Sequence, residues 1–185
     1  ATLIYSLPNE INNLKKLESL YIAYSPIEAI PDDLSGLESL TELEMFSCTE
    51  ITDVPAGIMT LPKLGKLTFS SNLKVTPAQM TAALTSLNNS PSAGTIHTLS
   101  IPNQPVEIIP DLTNLVRLSS VNVQNCGIKE FTTAFGKDHY IPSFLASNNE
   151  LEDLPRDADG YFVAIEDVEE INFSHNKFKK LPNIF

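Results

Sequence analysis

The chain has 185 residues, 42% hydrophobic and 19% charged, which is enough to bury a core and too apolar for a disordered tail. Its 23 acidic residues against 12 Lys and Arg give a net charge of -11, which repels phosphate backbones and anionic lipid and excludes nucleic acid and membrane surfaces as expected partners. No apolar run approaches the ~18 residues of a membrane span, and no basic segment followed by an apolar stretch opens the sequence, so no signal peptide is visible.

In chain order, Ile4 and Leu7-Pro8 read as the tail of a truncated unit. Leu17, Leu20 and Ile22 then set a pattern, apolar at positions 1, 4 and 6. It returns at Leu40, Leu43, Met45, at Leu64, Leu67, Phe69, at Ile96, Leu99, Ile101 and at Leu118, Val121, Val123. Two weaker copies follow, Ile141, Phe144, Ala146 and Val168, Ile171, Phe173. First positions 17, 40, 64, 96, 118, 141 and 168 are 23, 24, 32, 22, 23 and 27 residues apart. A repeat of that length is one supersecondary unit that cannot bury its apolar face alone and must stack on its neighbours. Positions 4 and 6 share one face of a strand, so the residues between them point outward.

Position 9 holds Ser25, Cys48, Asn72, Gln104, Cys126, Asn149 and Asn176, small or amide side chains able to bond backbone groups left unpaired where a strand turns away. Each unit then carries an apolar residue (Ile27, Ile51, Val75, Val106, Ile128, Leu151, Phe178). Most close on an apolar–Pro pair: Ile30-Pro31, Val54-Pro55, Ile109-Pro110, Leu154-Pro155 and Leu181-Pro182. Proline suits an extended segment that needs no N–H. The fifth unit ends instead in Phe131-Thr132, and the third lacks the pair.

These residues resemble the leucine-rich-repeat family in the pattern LxxLxLxxNxLxxLPxxL, over essentially the whole chain. The resemblance implies an α/β fold, a right-handed solenoid or horseshoe with a parallel sheet on the concave face and mostly irregular or 3-10 convex segments. Residues 1–185 then form a single domain of about seven repeats plus the truncated first one. No polar terminal cap is evident, so the domain is expected to belong to a longer protein.

The third unit contains Thr76-Pro77-Ala78-Gln79, a capping box with proline at the first helical position, followed by Met80, Ala83, Leu84 and Leu87. This predicts a helix over residues 77–87 and a loop from Asn88 to Gly94, a helical insertion near 76–95 on the convex side. The sixth unit contains Asp157-Ala158-Asp159-Gly160, then Glu166 and Asp167. It lacks the alternating oxygens and terminal Glu of a calcium loop and reads as a solvated turn, with cation binding by Asp157 and Asp159 left open.

Two outward features are candidate binding sites. Tyr21, Tyr24 and Phe46 cluster on the first two strands beside Glu42 and Glu44. Exposed aromatics on a polar sheet face offer large contact area at low entropy cost. Farther along, Asn103, Asn122, Asn125 and Asn148 make an uncharged amide stripe able to meet sugar hydroxyls or peptide backbone. Each also has a plainer reading, a solvated sheet face.

No Gly-rich phosphate loop, nucleophile elbow or zinc motif occurs, and the carboxylates are scattered, so no enzyme and no cofactor is expected. His97, at position 2, His139, in a loop, and His175, on the outward face, have no partner at ligand spacing. Asn88-Asn89-Ser90 and Asn172-Phe173-Ser174 match the glycosylation pattern. Cys48 and Cys126 stand three rungs apart, ~14 Å at ~4.8 Å per rung, and a disulfide needs Cα atoms within ~7 Å, so both are expected to be free, buried thiols. The function expected is recognition of a protein or carbohydrate ligand on the concave face. By resemblance to repeat proteins of bacterial surfaces, that recognition serves adhesion or host interaction outside the cell. The alternatives are an intracellular scaffold or effector that selects substrates for an enzyme domain elsewhere, and an architectural spacer.

Overall fold

The computed structural model describes residues 4–164 and 168–180. Leu181-Pro182, Glu166 and Asp167 lie outside the described residues. In chain order the elements are β1 (Ser19–Ala23), β2 (Glu42–Phe46), β3 (Lys66–Ser70), α1 (Pro77–Leu87), β4 (Thr98–Ser100), β5 (Ile108–Ile109), β6 (Ser120–Asn122), β7 (Glu130–Phe131), β8 (Gly136–Tyr140), β9 (Ser143–Leu145), β10 (Val163–Ala164) and β11 (Glu170–Asn172). Two 3-10 helices, η1 (Asn9–Asn13) and η2 (Ala56–Thr60), precede β1 and β3 in sequence.

The apolar repeat becomes one parallel sheet of seven strands, in the order β1-β2-β3-β4-β6-β9-β11. Its register is the repeat register. Leu20 stands opposite Leu43, Leu43 opposite Leu67, and Leu67 opposite Leu99. Leu99 then faces Val121, Val121 faces Phe144, and Phe144 faces Ile171. Position 4 of every unit therefore forms one column. Leu43, Leu99 and Phe144 are wholly buried in it, as is Met45 in the adjoining column of position 6, each such side chain contributing ~2 kcal/mol of burial. Leu17 and Leu20 at one end, and Ile171, Phe173 and Phe178 at the other, are only partly covered.

Behind the sheet the prolines set direction. Pro8 and Pro55, at φ -76° and -60°, lead directly into η1 and η2. Their fixed φ is compatible with the first turn, and neither position needs an N–H. Helix α1 carries both halves of its capping box. The Gln79 N–H donates to Thr76 Oγ1 at 3.3 Å, and the Thr76 N–H donates to Gln79 Oε1 at 2.8 Å. Its buried face is Met80, Leu84 and Leu87.

Two small parallel sheets were not foreseen: β5 with β7, and β8 with β10. The second corrects the expectation for His139, which lies in strand β8 and not in a loop. Gly136–Tyr140 shows no apolar alternation, and its partner Val163–Ala164 is distant in sequence, so no local signal existed. The Phe131-Thr132 departure also has a physical reason. Thr132 donates its N–H to the Ile109 carbonyl at 2.9 Å, a bond that proline could not make, while the buried Phe131 ring packs 5.9 Å from Phe144 and 5.3 Å from Phe162.

The end of each strand is closed by one device. At position 8 the backbone enters the left-handed region in every unit: Tyr24, Ser47, Ser71, Asn103, Asn125, Asn148 and His175, at φ between 50° and 58°. This swings the chain off the sheet and leaves peptide groups that the ladder no longer serves. The position 9 amides take them up, as their residue types suggest. Asn149 Oδ1 accepts from the Cys126 and Ile128 N–H groups, both at 3.0 Å, and its Nδ2 donates to the Val123 carbonyl at 2.8 Å and the Ala146 carbonyl at 3.0 Å. Asn72 accepts from the Cys48 N–H at 2.8 Å, and Gln104 accepts from the Asn72 N–H at 2.9 Å while donating to the Asn72 carbonyl at 2.8 Å. Asn176 accepts from the Leu151 N–H at 3.1 Å and donates to the Ala146 carbonyl at 2.9 Å. Where Cys replaces the amide, the thiol donates backward instead, Cys126 Sγ to the Ile101 carbonyl at 3.1 Å. Both cysteines are free and buried, and burial raises each thiol from 9.0 to about 11.

Two outcomes follow from this ladder. Replacing Asn149 with Ala strands buried groups on two neighbouring rungs. It should cost about 3 kcal/mol, read as a lower midpoint in urea unfolding with unchanged slope. The two thiols should stay inert to an aromatic disulfide reagent at pH 8 while folded and react together on unfolding. Because their folded pKa is raised, the stability they contribute is intact below about pH 9 and falls as pH rises toward 11. Fast labelling of the native protein would show that the ladder position is not closed.

Candidate functional site

The outward side chains of β1 and β2 form the aromatic and acidic cluster. Strand alternation turns Leu20 and Ile22 inward and leaves Ser19, Tyr21 and Ala23 on the open face. Register then sets Tyr21 opposite Glu44 and Ala23 opposite Phe46. The Tyr21 hydroxyl reaches diagonally and donates to Glu42 Oε2 at 2.7 Å, and this bond raises the phenol above its ordinary pKa of 10.0. Glu44 pairs with Lys66 of the next rung at 2.6 Å, and that hydrogen bond raises the lysine above its ordinary 10.5. Lys66 was not singled out from sequence. It stands opposite Glu42 across one rung step, a position only the register reveals.

Tyr24 is 78% exposed and Tyr21 58%. The Tyr24 ring meets the half-buried Phe46 ring edge-on, with centroids 5.0 Å apart and planes at 78°. Tyr24 also sits at φ 50°. A left-handed backbone costs an L-residue roughly 1–2 kcal/mol, less for Asn and Asp. A bulky aromatic there, with most of its surface in water, is disfavoured twice.

The amide stripe lies elsewhere, on rungs four to six, and its members have local partners. Asn103, Asn125 and Asn148 occupy the left-handed position 8, where Asn is favoured. Asn125 Nδ2 donates to Asn103 Oδ1 at 2.7 Å, and Asn122 Oδ1 accepts from the Gln124 N–H at 3.2 Å. Asn103, Asn125 and Asn148 remain exposed, and Asn122 is half-buried.

Asp157 is committed to backbone. Its carboxylate accepts from the N–H groups of Tyr161 at 2.8 Å, Asp159 at 3.0 Å and Lys137 at 3.1 Å, and the Tyr161 bond leads in holding it below the ordinary 3.8. Asp159 pairs with Lys137 at 2.6 Å. Among the described residues no group of three or more His, Cys, Asp or Glu could hold a metal ion. His97 bonds Thr98, His139 Nε2 meets the Thr113 carbonyl at 3.0 Å, and His175 is exposed. Asn88, of the first glycosylation triplet, is buried and accepts from the Asn114 N–H at 3.0 Å, so it is closed to a glycan in the folded chain. Among the described residues no helix is long and apolar enough to cross a membrane.

No family model matches the chain. It is 28% identical over 141 residues to the Arabidopsis thaliana protein SUPPRESSOR OF npr1-1, CONSTITUTIVE 1, covering 75% of this chain and 9% of that protein. Among solved structures it resembles a leucine-rich repeat protein from Bacteroides thetaiotaomicron, with TM-score 0.82 and 26% identity over 99% of this chain and 24% of that one. It also resembles a leucine-rich repeat protein from Bacteroides eggerthii, with TM-score 0.86 and 22% identity over 99% of this chain and 33% of that one. A leucine-rich-repeat protein from Leptospira interrogans matches more loosely, at TM-score 0.55 and 17% identity over 97% of this chain and 54% of that one. The chain thus spans a third or less of the plant protein and of both Bacteroides proteins.

The backbone at Tyr24 generates a prediction opposite in sign to most substitutions at a contact surface. Tyr24→Asn should stabilise the folded chain by about 1 kcal/mol, seen as a higher midpoint in urea. A loss of stability would mean that the ring supports the fold and is not held out as a contact group.

Proposed function

We propose that this chain, a leucine-rich-repeat solenoid like those solved from Bacteroides, is a non-enzymatic recognition module whose strand face grips a protein partner at its first two rungs. The leucine-rich-repeat fold itself suggests a protein-interaction module. The observation that carries the proposal for this face is Tyr24: a ring 78% exposed, on a left-handed backbone, stacked edge-on against Phe46. Strained residues persist where the surroundings over-determine them or where they are used. The repeated turn fixes the backbone here as in every unit, but it does not call for a ring left largely in solvent, which favours use.

A protein ligand is favoured over a carbohydrate by the amides. The Asn103, Asn122 and Asn125 side chains are engaged locally, so fewer of their polar atoms are free for sugar hydroxyls. Tyr21, Tyr24 and Phe46 remain as large anchors with two rotatable bonds each. Asn148 and the other three amides serve as adaptable rim contacts in this scheme. Display outside a bacterial cell, in adhesion or host interaction, is the setting we propose, supported by the bacterial origin of the solved structures the chain resembles. The spacer alternative needs no anchor at Tyr24, and the effector alternative places the same face inside a cell.

The experiment is capture of binding proteins on immobilised wild-type and Phe46→Ala chains, beside a glycan array probed with both. Protein retained by the wild type should be lost or weakened about tenfold or more by Phe46→Ala, as for a central aromatic anchor, while both chains stay folded by circular dichroism. Equal retention by both chains, or array signals insensitive to the substitution, would remove this face from the binding site.

A further inference from the structure

On the convex side the third unit does not fit the spacing of its neighbour. Strands β2 and β3 pair in parallel, about 4.8 Å apart, while η2 follows β2 and α1 follows β3. An α-helix with its side chains is about 10 Å across, so α1 and η2 cannot pack at strand spacing. Large side chains would close the gap. Instead α1 turns Gln79, Ala82, Ala83 and Ser86 toward it, at i, i+3, i+4 and i+7 on one face, beside the buried Met80 and Leu84. Val54, Ala56 and Met59 form the opposite wall. The result is an open groove of about 340 Å³, at the small end of ligand sites. Its floor is closed: the space beneath, among Ile58, Phe69, Met80 and Leu84, is about 10 Å³, too little for more than one water.

We propose that this groove binds a small amphiphilic cation, a short aliphatic chain ending in an ammonium. The site is separate from the strand face and does not rest on the role proposed for that face. The apolar walls take the chain. Asp53 is the one charged residue lining the groove, and it adjoins Val54 of the wall. Its Oδ1 accepts the Val54 N–H at 2.7 Å, which holds the carboxylate at the groove and leaves Oδ2 for a ligand. No lysine, arginine or histidine lines the groove, so nothing in its walls offsets that charge. Other acids of the chain carry the same charge; what singles out Asp53 is the apolar groove that it borders. An ion pair open to water is weak by itself, so burial of the chain has to supply most of the affinity and the carboxylate the choice of end group. A chain ending in a carboxylate would bring like charges together, in a molecule already at net charge -11.

The test titrates n-hexylammonium at neutral pH onto the 185-residue chain labelled with carbon-13 in its methionine methyls, read by NMR. The amine, like that of lysine, is protonated there. The chain's three methionines report separately: Met59 in the groove wall, Met80 beneath the floor and Met45 in the buried strand column. Met59 should move saturably, with a dissociation constant on the order of 1 mM, and Met45 should stay still. Hexanol should bind at least about threefold more weakly, and hexanoate more weakly again. Asp53→Asn should bring hexylammonium down to the affinity of hexanol. Glu130→Gln removes the same charge three rungs along, at least about 14 Å away and beyond the screening length of ~8 Å, and should change affinity less than about 1.5-fold. Ala82→Leu fills the groove from an exposed helix position with a good helix former, and should abolish the Met59 response while the chain stays folded by circular dichroism. Should that variant not fold, Asp53→Asn and hexanoate decide the matter. No saturable movement of Met59, equal movement of Met45, or a response kept in folded Ala82→Leu would overturn the proposal. So would hexanol or hexanoate binding as well as hexylammonium, or equal losses from Asp53→Asn and Glu130→Gln.

Discussion

A parallel strand that ends has to put its peptide groups somewhere, and in this chain the answer is the side chain of the next rung. The left-handed residue at position 8 turns the backbone away from the sheet, and its own N–H goes to the following rung, as Tyr24 to the Phe46 carbonyl at 2.9 Å and Asn125 to the Ser147 carbonyl at 3.0 Å. The amide one residue later then reaches back to the preceding rung. Asn149 holds groups on both the rung of Val123 and its own. Leaving a buried peptide group unpaired costs roughly 1–3 kcal/mol, so the ladder constrains rung spacing and register together. The apolar column supplies most of the energy, but burial is not directional. The amides and the turn make Leu43 face Leu67 and not a neighbour one residue away, which would have inverted every outward side chain.

How much of this was legible depended on whether the responsible interaction was periodic. The column of apolar residues recurs at near-constant spacing, so both the strands and their inward faces could be read from Leu17 to Phe173. Helix α1 was legible because its start signal is local: Thr76, Pro77 and Gln79 lie within one turn of each other. Strand β8 was not, because Gly136–Tyr140 is polar and its ladder partner is Val163–Ala164. Lys66 was missed for a similar reason. Its importance comes from standing one rung beyond Glu42 and Glu44, which is a fact of pairing and not of sequence neighbourhood.

The left-handed column is the more instructive omission. Asn103, Asn125 and Asn148 carried its signature, since Asn tolerates positive φ better than most residues. From sequence they looked like a polar stripe awaiting a ligand. Tyr24, Ser47 and Ser71 hid the column, because none of them advertises a positive φ. Once the backbone is known, the three asparagines are explained by conformation and need no ligand to account for them. The tyrosine is left unexplained by the same comparison.

That contrast is the strongest physical reason to place contact at the first two rungs. At one repeated backbone position, the chain uses Asn three times, Ser twice, an exposed His once and, at Tyr24, its largest exposed ring. The column alone cannot favour Tyr24, for its φ of 50° is strained and its surface is mostly in solvent. Packing cannot favour it much either, since a single edge-on meeting with Phe46 contributes only ~0.5–1.5 kcal/mol. What the ring gains is position: held edge-on against Phe46 at the end of the first two strands, it presents area that the unbound chain does not use. In the proposed reading, stability and recognition draw on the same repeated turn, the first through residues that suit it and the second through one that does not.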